Sequence, residues 1–143
     1  MNALVSAGGR IFYVIDEAPR FSILDQNGNK VSLESLLNGK EIVLNFWASW
    51  CPSCRAEIPR LIEFAEKYKD KIEIVGVNMG ELKETVQSFI ESNGIKYKIL
   101  LDPNGKVGKL YMVRAIPTNY LIDKDGSIKK MHIDIKEMEN YLR

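Results

Sequence analysis

Apolar positions along the chain follow two alternating periods, which predicts strands interleaved with helices. Residues 42–47 are nearly continuously apolar, the pattern of a central strand buried on both faces. A helical pattern follows, because apolar residues recur at offsets 3, 4, 7 and 10 from Ile58 and Pro52 suits the first helical position. A buried strand therefore leads directly into an amphipathic helix.

The same alternation continues to the end of the chain. It predicts further strands at residues 72–78, 99–101, 119–122 and 127–131. Helices are predicted from Leu82 to Gly94, after Asp102-Pro103, which would supply an N-cap and a first turn, and over residues 135–142. The inner face of the helix after Asp102 is assigned to Val107, Leu110 and Tyr111. This order predicts an α/β fold with a mixed central sheet flanked by helices on both faces.

Ahead of the central strand, the sequence predicts an N-terminal β-hairpin. Residues 21–24 and 30–33 flank an Asn-Gly turn, and residues 33–37 then fit one or two helical turns. Residues 1–19 show neither period, so we assign them to a lead-in segment outside the main core and residues 20–143 to one domain.

Composition excludes several classes of partner. The 143 residues are 45% hydrophobic, enough for one domain with a sizeable core. Lys and Arg number 20 against 19 Asp and Glu, so no charge excess attracts nucleic acid or an anionic bilayer. No apolar run approaches the roughly 18 residues of a membrane span. We expect a soluble, monomeric domain.

Two cysteines must carry their information through spacing. They are too few for a disulfide framework, and with the single His132 they fall short of the four ligands of a structural zinc site, so we expect no metal. Cys51 and Cys54 lie at the strand-to-helix junction, one at the start of the helix and one a turn later.

The first cysteine of the pair is the expected nucleophile. Cys51 faces the unpaired amide protons and the positive end of the helix dipole, which lower a thiol pKa from about 8.5 to roughly 3.5–7.5. Cys54 lies on the same side of the helix and can resolve a mixed disulfide. Trp50 would form an apolar rim, whereas Trp47 belongs to the core. The alternative is a chance pair that packs as small hydrophobes.

Functional groups in such sheets collect beyond the carboxyl ends of parallel strands. Two loops meet this condition, one at Cys51 and one at Glu81. The Glu81 carboxylate can either reach the thiols or serve as a helix-start residue stabilised by the dipole.

Residues 45–59, which read NFWASWCPSCRAEIP, resemble the active-site stretch of TlpA/ResA-type thioredoxin-like proteins. The resemblance continues through residues 77–81, 115–118 and 125–126 and covers about residues 18–135. It implies a thioredoxin-like fold and a bacterial protein that exchanges disulfides outside the cytoplasm, often as a reductant in cytochrome c maturation. It also implies no cofactor beyond a Cys51–Cys54 disulfide, and a membrane or thioredoxin-type electron donor.

The resemblance also implies roles for individual residues. Pro117 matches a cis proline that faces the cysteine pair and leaves the backbone at Ile116 free to pair with a substrate strand, although the pattern alone favours a trans proline. Trp50 and Pro52 complete the expected substrate-binding set. Glu81 matches an acidic residue near the cysteines and is the expected catalytic carboxylate.

Three departures qualify this picture. Asn45 stands where cytoplasmic thioredoxins carry a buried aspartate, so any acid-base role passes to Glu81 or to water. Pro52-Ser53 is neither the Gly-Pro of thioredoxin nor the Pro-His of strong oxidants, which leaves the direction of electron flow open. The first residues show no hydrophobic anchor or signal. We expect a membrane-anchored extracytoplasmic protein from which that segment was removed, or a cytoplasmic one if the first residue is native.

Two other functions share the fold class. A redox-inert module could hold partner strands at its Pro117 edge, but Cys51 and Cys54 argue against it. A peroxiredoxin-like peroxidase would need a threonine where Ala48 stands.

Overall fold

A computed structural model describes the backbone of residues 2–7 and 10–142 and the side chains of residues 16–142. The strands are β1 (Asn2–Ala7), β2 (Arg10–Ile15), β3 (Ser22–Leu24), β4 (Lys30–Ser32), β5 (Glu41–Trp47), β6 (Ile72–Met79), β7 (Lys98–Asp102), β8 (Thr118–Ile122) and β9 (Ile128–Lys130). The α-helices are α1 (Leu33–Leu36), α2 (Pro52–Lys67), α3 (Lys83–Asn93), α4 (Lys106–Leu110) and α5 (Glu139–Leu142), with a 3-10 turn at Ile135–Glu137.

Five strands form the central sheet in the order β7-β6-β5-β8-β9. Strands β7, β6 and β5 are parallel, whereas β8 runs antiparallel to β5 and β9 antiparallel to β8. The predicted mixed sheet is therefore confirmed, with β5 at its centre. Because Trp47 is paired with Asn78 at the ends of β5 and β6, the loops that follow these two strands leave the sheet side by side.

Helices and the hairpin cover the two faces of the sheet. One face packs against α2, α3 and the C-terminal segment, through buried residues that include Leu61, Phe64, Val86 and Leu142. The other packs against the hairpin, α1 and α4, through Phe21, Leu33, Val107 and Tyr111. Helix α2 thus packs a buried apolar stripe against the sheet. Its first turn lies at the carboxyl ends of the parallel strands, because α2 follows directly after β5.

The N-terminal residues differ from the sequence interpretation. Strands β1 and β2 pair antiparallel, from Asn2 opposite Ile15 to Ala7 opposite Arg10, although no element was predicted there. Two six-residue runs separated by Gly-Gly have the composition of a β-hairpin, and this is the local signal that could have predicted the two strands. Ala18 is buried and its amide bonds the Gly126 carbonyl at 2.9 Å, so the end of the segment packs on the main domain.

Helix α4 begins later than the sequence predicts. Its N-cap is Gly105 in the left-handed conformation, not Asp102, which closes β7. The Asp102 carboxylate reaches over the intervening turn and accepts hydrogen bonds from the amides of Val107 and Gly108 at 3.1 and 3.0 Å. The assignment of Leu110 to the inner face was also wrong, since its side chain is 48% exposed.

The remaining predicted elements are confirmed. The hairpin β3–β4, helix α1 and the terminator Gly94 of α3 lie where the pattern places them. The closing helix is divided between a 3-10 turn and α5, with its predicted apolar residues buried. Among the residues described, none of the helices combines the length and hydrophobicity that a membrane crossing requires.

Candidate active site

Cys51 occupies the junction between β5 and α2. It is the N-cap of α2, with Pro52 at the first helical position, and its Sγ accepts a hydrogen bond from the Cys54 amide at 3.2 Å. The thiol therefore faces the unpaired amides at the start of the helix, as the spacing predicts. Both thiols are free, and Cys51 and Cys54 are only 4% and 2% exposed.

Cys54 is held as a neutral thiol. Burial is the largest cause that raises its pKa to about 12, and the hydrogen bond with Cys51 and the charge of Glu57 act in the same direction. A thiol with such a pKa donates to a neighbouring thiolate and is a poor nucleophile until a base removes its proton. The two cysteines therefore have different chemistry despite lying one helical turn apart.

The segment before β8 lies against Cys51. The Ile116–Pro117 peptide bond is cis, as the family resemblance implied. The Cys51 Sγ donates to the Ile116 carbonyl at a distance of 3.7 Å. Both Ile116 and Pro117 are partly exposed, so a chain that reaches Cys51 meets this segment as well.

The two tryptophans of the stretch take opposite positions. Trp47 lies in the core and is only 2% exposed. Trp50, the residue just before Cys51, is 69% exposed. Pro52 is exposed on the first turn of α2. Trp50, Pro52, Ile116 and Pro117 are thus assembled around Cys51, and their role in binding stays a prediction.

Glu81 fastens the two loops that leave the sheet. Its Oε1 accepts hydrogen bonds from the Ser49 amide at 2.7 Å and from Asn78 Nδ2 at 2.8 Å, and its Oε2 accepts one from the Ser49 hydroxyl. These bonds act on the backbone two residues before Cys51. Glu81 also precedes α3, whose N-cap is Leu82. Its catalytic role stays a prediction, and the geometry is that of a residue that positions the Cys51 loop.

A second carboxylate, which the sequence analysis did not single out, lies one helical turn after Cys54. The Glu57 carboxylate accepts hydrogen bonds from Asn119 Nδ2 at 3.2 and 3.4 Å and from Asn45 Nδ2 at 3.4 Å. Asn45 also donates to Asn119 Oδ1 at 2.6 Å, and both asparagines are buried. The three side chains form a polar cluster inside an otherwise apolar face.

The environment of Glu57 suits a proton acceptor. Burial is the main cause that raises the pKa of its carboxyl above the ordinary 4.5, while the hydrogen bonds from Asn119 and Asn45 oppose the rise. A carboxyl group whose pKa is raised by burial can serve as a general base. The available sequence signal was the spacing of three residues from Cys54, which puts both groups on one side of α2. Within residues 16–142, no three His, Cys, Asp or Glu side chains converge as a metal site requires.

Comparison with known proteins adds to this geometry. The sequence profile described as the AhpC/TSA family matches residues 14–131. The chain belongs to the AhpC/TSA family. That match spans the central sheet, the cysteine pair and the segment at Pro117.

Relatives within and around this family carry related names. Over 131 residues the chain is 37% identical to the thiol-disulfide oxidoreductase ResA of Bacillus thuringiensis (strain Al Hakam), covering 89% of this chain and 75% of ResA. A thiol:disulfide interchange protein from Bacteroides sp. superimposes with a TM-score of 0.80 at 25% identity, covering 90% of each chain. The exposed lipoprotein thioredoxin of Streptococcus pneumoniae strain TIGR4 gives a TM-score of 0.72 at 30% identity, covering 87% and 98% of the two chains.

These findings confirm the resemblance stated for residues 45–59. The fold is thioredoxin-like, and the relatives include ResA-type proteins. With its Cys51–Cys54 pair, this member of the AhpC/TSA family is a thiol-disulfide oxidoreductase whose substrates are protein thiols and disulfides.

Proposed function

We propose that the chain reduces disulfides of other proteins, with Cys51 as the nucleophile and Cys54 as the resolving thiol. The observation that carries this assignment is the asymmetry of the pair. Cys51 is the N-cap of α2 and its Sγ accepts a hydrogen bond from the Cys54 amide at 3.2 Å, so this sulfur is the one that faces the start of the helix. The pKa of Cys54, at about 12, keeps that thiol protonated at the start of the reaction.

The reaction proceeds in two exchanges. The Cys51 thiolate attacks one sulfur of the substrate disulfide, that S–S bond breaks, and the other substrate sulfur leaves as a thiolate that takes a proton from water. Cys54 then loses its proton and attacks the Cys51 sulfur of the mixed disulfide. The products are a Cys51–Cys54 disulfide and a second substrate thiol, so two electrons have passed to the substrate without a bound cofactor.

Glu57 is the base that we assign to the second exchange. It lies one turn from Cys54 on the same side of α2, and its charge acts on the Cys54 thiol. Asn119 and Asn45 hold the carboxylate in place and favour its ionised form. The proton released by Cys54 passes to Glu57 and then, through the product thiolate or water, out of the site.

Substrate docks at the segment before β8. The backbone at Ile116 and the ring of Pro117 are the surface against which an extended substrate chain pairs, and Trp50 and Pro52 border it. The position of the Ile116 carbonyl, 3.7 Å from Cys51 Sγ, supports this assignment because it brings that backbone to the attacking sulfur.

We propose that the protein is a membrane-anchored reductant that acts outside the cytoplasm. Kinship with ResA and with an exposed lipoprotein thioredoxin supports this proposal. A cytochrome c maturation-type pathway is the proposed setting. A membrane-bound or thioredoxin-type dithiol protein would return electrons to the Cys51–Cys54 disulfide, and the chain acts as a monomer.

Insulin reduction and disulfide trapping test the assignment. Cys51→Ser should abolish reduction, whereas Cys54→Ala should attack but fail to resolve, so that mixed disulfides accumulate at Cys51. Mixed disulfides in Cys51→Ser and none in Cys54→Ala would reverse the two roles. Wild-type protein that captures partners without exchanging disulfides would instead make it a redox-inert binding module.

A further inference from the structure

Large apolar side chains are unevenly exposed in this fold. Four stand out among the side chains described: Leu24 at 50%, Trp50 at 69%, Leu82 at 73% and Leu110 at 48% exposure. The two most exposed, Trp50 and Leu82, both follow parallel strands at the carboxyl edge of the sheet. Exposed apolar groups that gather at one place mark a contact surface, whereas scattered ones do not.

The structure places Leu82 beside the cysteine loop. Glu81 bonds the Ser49 amide at 2.7 Å and the Ser49 hydroxyl, and Leu82 and Trp50 are the next residues on the two loops so joined. The preceding strands are paired through Trp47 and Asn78. Leu82 and Trp50 therefore lie on two adjacent loops, one of which contains Cys51.

The helix that Leu82 begins does not explain this residue. Leu82 is the N-cap of α3, a position that favours Ser, Thr, Asp or Asn because their side chains accept an amide hydrogen bond. Leu82 makes no such bond, and most of the residue is exposed to solvent. The position therefore carries an apolar group where the fold itself favours a polar one.

We propose that Leu82 is a specificity-determining residue that contacts an apolar side chain next to the disulfide cysteine of a protein substrate. Cys51 is only 4% exposed, so a substrate sulfur reaches it only when the substrate backbone lies close to the surrounding loops. A residue adjacent to that sulfur then lies over Leu82 or Trp50. The proposal rests on the proposed function, because it requires attack by Cys51.

Two disulfide-linked peptides that differ only beside the reactive cysteine provide the test, one with leucine and one with serine. The measured quantity is the ratio of their kcat/KM values. Leu82→Ser should lower the preference for the leucine peptide about tenfold, the effect of losing partial burial of one leucine. Serine is a favoured N-cap, so the variant keeps α3.

Matched variants sharpen the result. Leu82→Met should retain the wild-type preference because it keeps an apolar side chain, and Leu24→Ser, which removes a half-exposed leucine from β3, should retain it as well. An unchanged ratio in Leu82→Ser, or an equal loss in Leu24→Ser, would overturn the proposal. Reduction of either peptide by Cys51→Ser would instead overturn the proposed function, so the two failures are distinguishable.

Discussion

Replacing Glu57 with glutamine should slow the resolution of the mixed disulfide while leaving the attack by Cys51 in place. Burial raises the pKa of Cys54 to about 12, so at pH 7 this thiol is almost entirely protonated. In the mixed disulfide the Cys51 sulfur is bonded to the substrate sulfur, so the hydrogen bond between the two thiols is lost. Burial, the largest cause of the raised pKa, remains, so Cys54 still needs a base.

The size of the effect follows from what the carboxylate supplies. A positioned general base contributes typically about 10²–10⁴-fold to a rate, and this is the loss expected for resolution in Glu57→Gln. Glutamine preserves the shape of the side chain and an oxygen for Asn119 Nδ2. The loss therefore reports the missing proton acceptor rather than a collapsed polar cluster.

The pH profile gives a second signature. Burial raises the pKa of Glu57, so the wild-type rate should rise with pH until this carboxylate is ionised and then level off. In Glu57→Gln the rate should depend on the Cys54 thiolate alone. It should then increase about tenfold per pH unit across the whole range, because the pKa of Cys54 lies above it.

Single-turnover kinetics measure this step directly. A mixed disulfide between Cys51 and thionitrobenzoate is formed, and release of the coloured thiol is followed from about pH 5 to pH 9. Glu63→Gln, which changes an exposed carboxylate on the same helix, is the matched control. If Glu57→Gln resolved at the rate and with the pH profile of Glu63→Gln, Glu57 would not be the base.

Stability should change with pH in a related way. Because the pKa of Glu57 is raised in the folded chain, folding favours its protonated form. The wild type should lose stability as pH rises from the ordinary carboxyl value of 4.5 through the raised value. Glu57→Gln should lack this loss in urea denaturation. An identical pH dependence of the unfolding free energy in both proteins would contradict the burial argument.

Three further outcomes are expected. Glu81→Gln should change the pH profile of thiol alkylation, because it removes a carboxylate near the thiols and weakens the acceptor that holds Ser49; a superimposable profile would leave Glu81 as a structural residue at the start of α3. Equilibration with glutathione or dithiothreitol should give a reduction potential nearer about −270 mV than about −120 mV, and a value more positive than about −180 mV would place the chain among oxidants and isomerases. Gly76→Ala should cost roughly 1–3 kcal/mol in urea unfolding, since its Cβ would lie 2.9 Å from the buried Trp47 Nε1; a neutral result would show that the core gives way there.

Local signals were sufficient for the parts of the site that are close in sequence. The apolar run at 42–47 and Pro52 after it place Cys51 at the start of a helix. Both the buried strand and the helix start can be predicted from residues that are neighbours in the sequence. The position of Pro117 came from family resemblance. The pattern alone favoured a trans bond, whereas the structure has it cis.

The polar cluster could not be found in the same way. Asn45 and Asn119 are 74 residues apart and meet only because β5 and β8 pair in the register that sets them opposite each other. Register depends on the whole sheet, so the burial of Glu57 against both asparagines has no local signature. The prediction that Asp102 is the N-cap of α4 was wrong for a local reason. Its carboxylate accepts the amide of Val107 from across the intervening turn, whereas the N-cap position belongs to Gly105.

The two edges of the central sheet are closed to strand addition. On β7, Gln26 of the hairpin donates its amide to the Ile99 carbonyl at 3.2 Å and Asp25 bridges Leu100. The opposite edge, β9, is three residues long and carries exposed Lys129 and Lys130. Short or covered edges and lysines prevent sheets from recruiting foreign strands. A thiol-disulfide oxidoreductase whose sheet edges are closed in this way can release the proteins with which it exchanges disulfides and remain dispersed among them, instead of nucleating their co-aggregation.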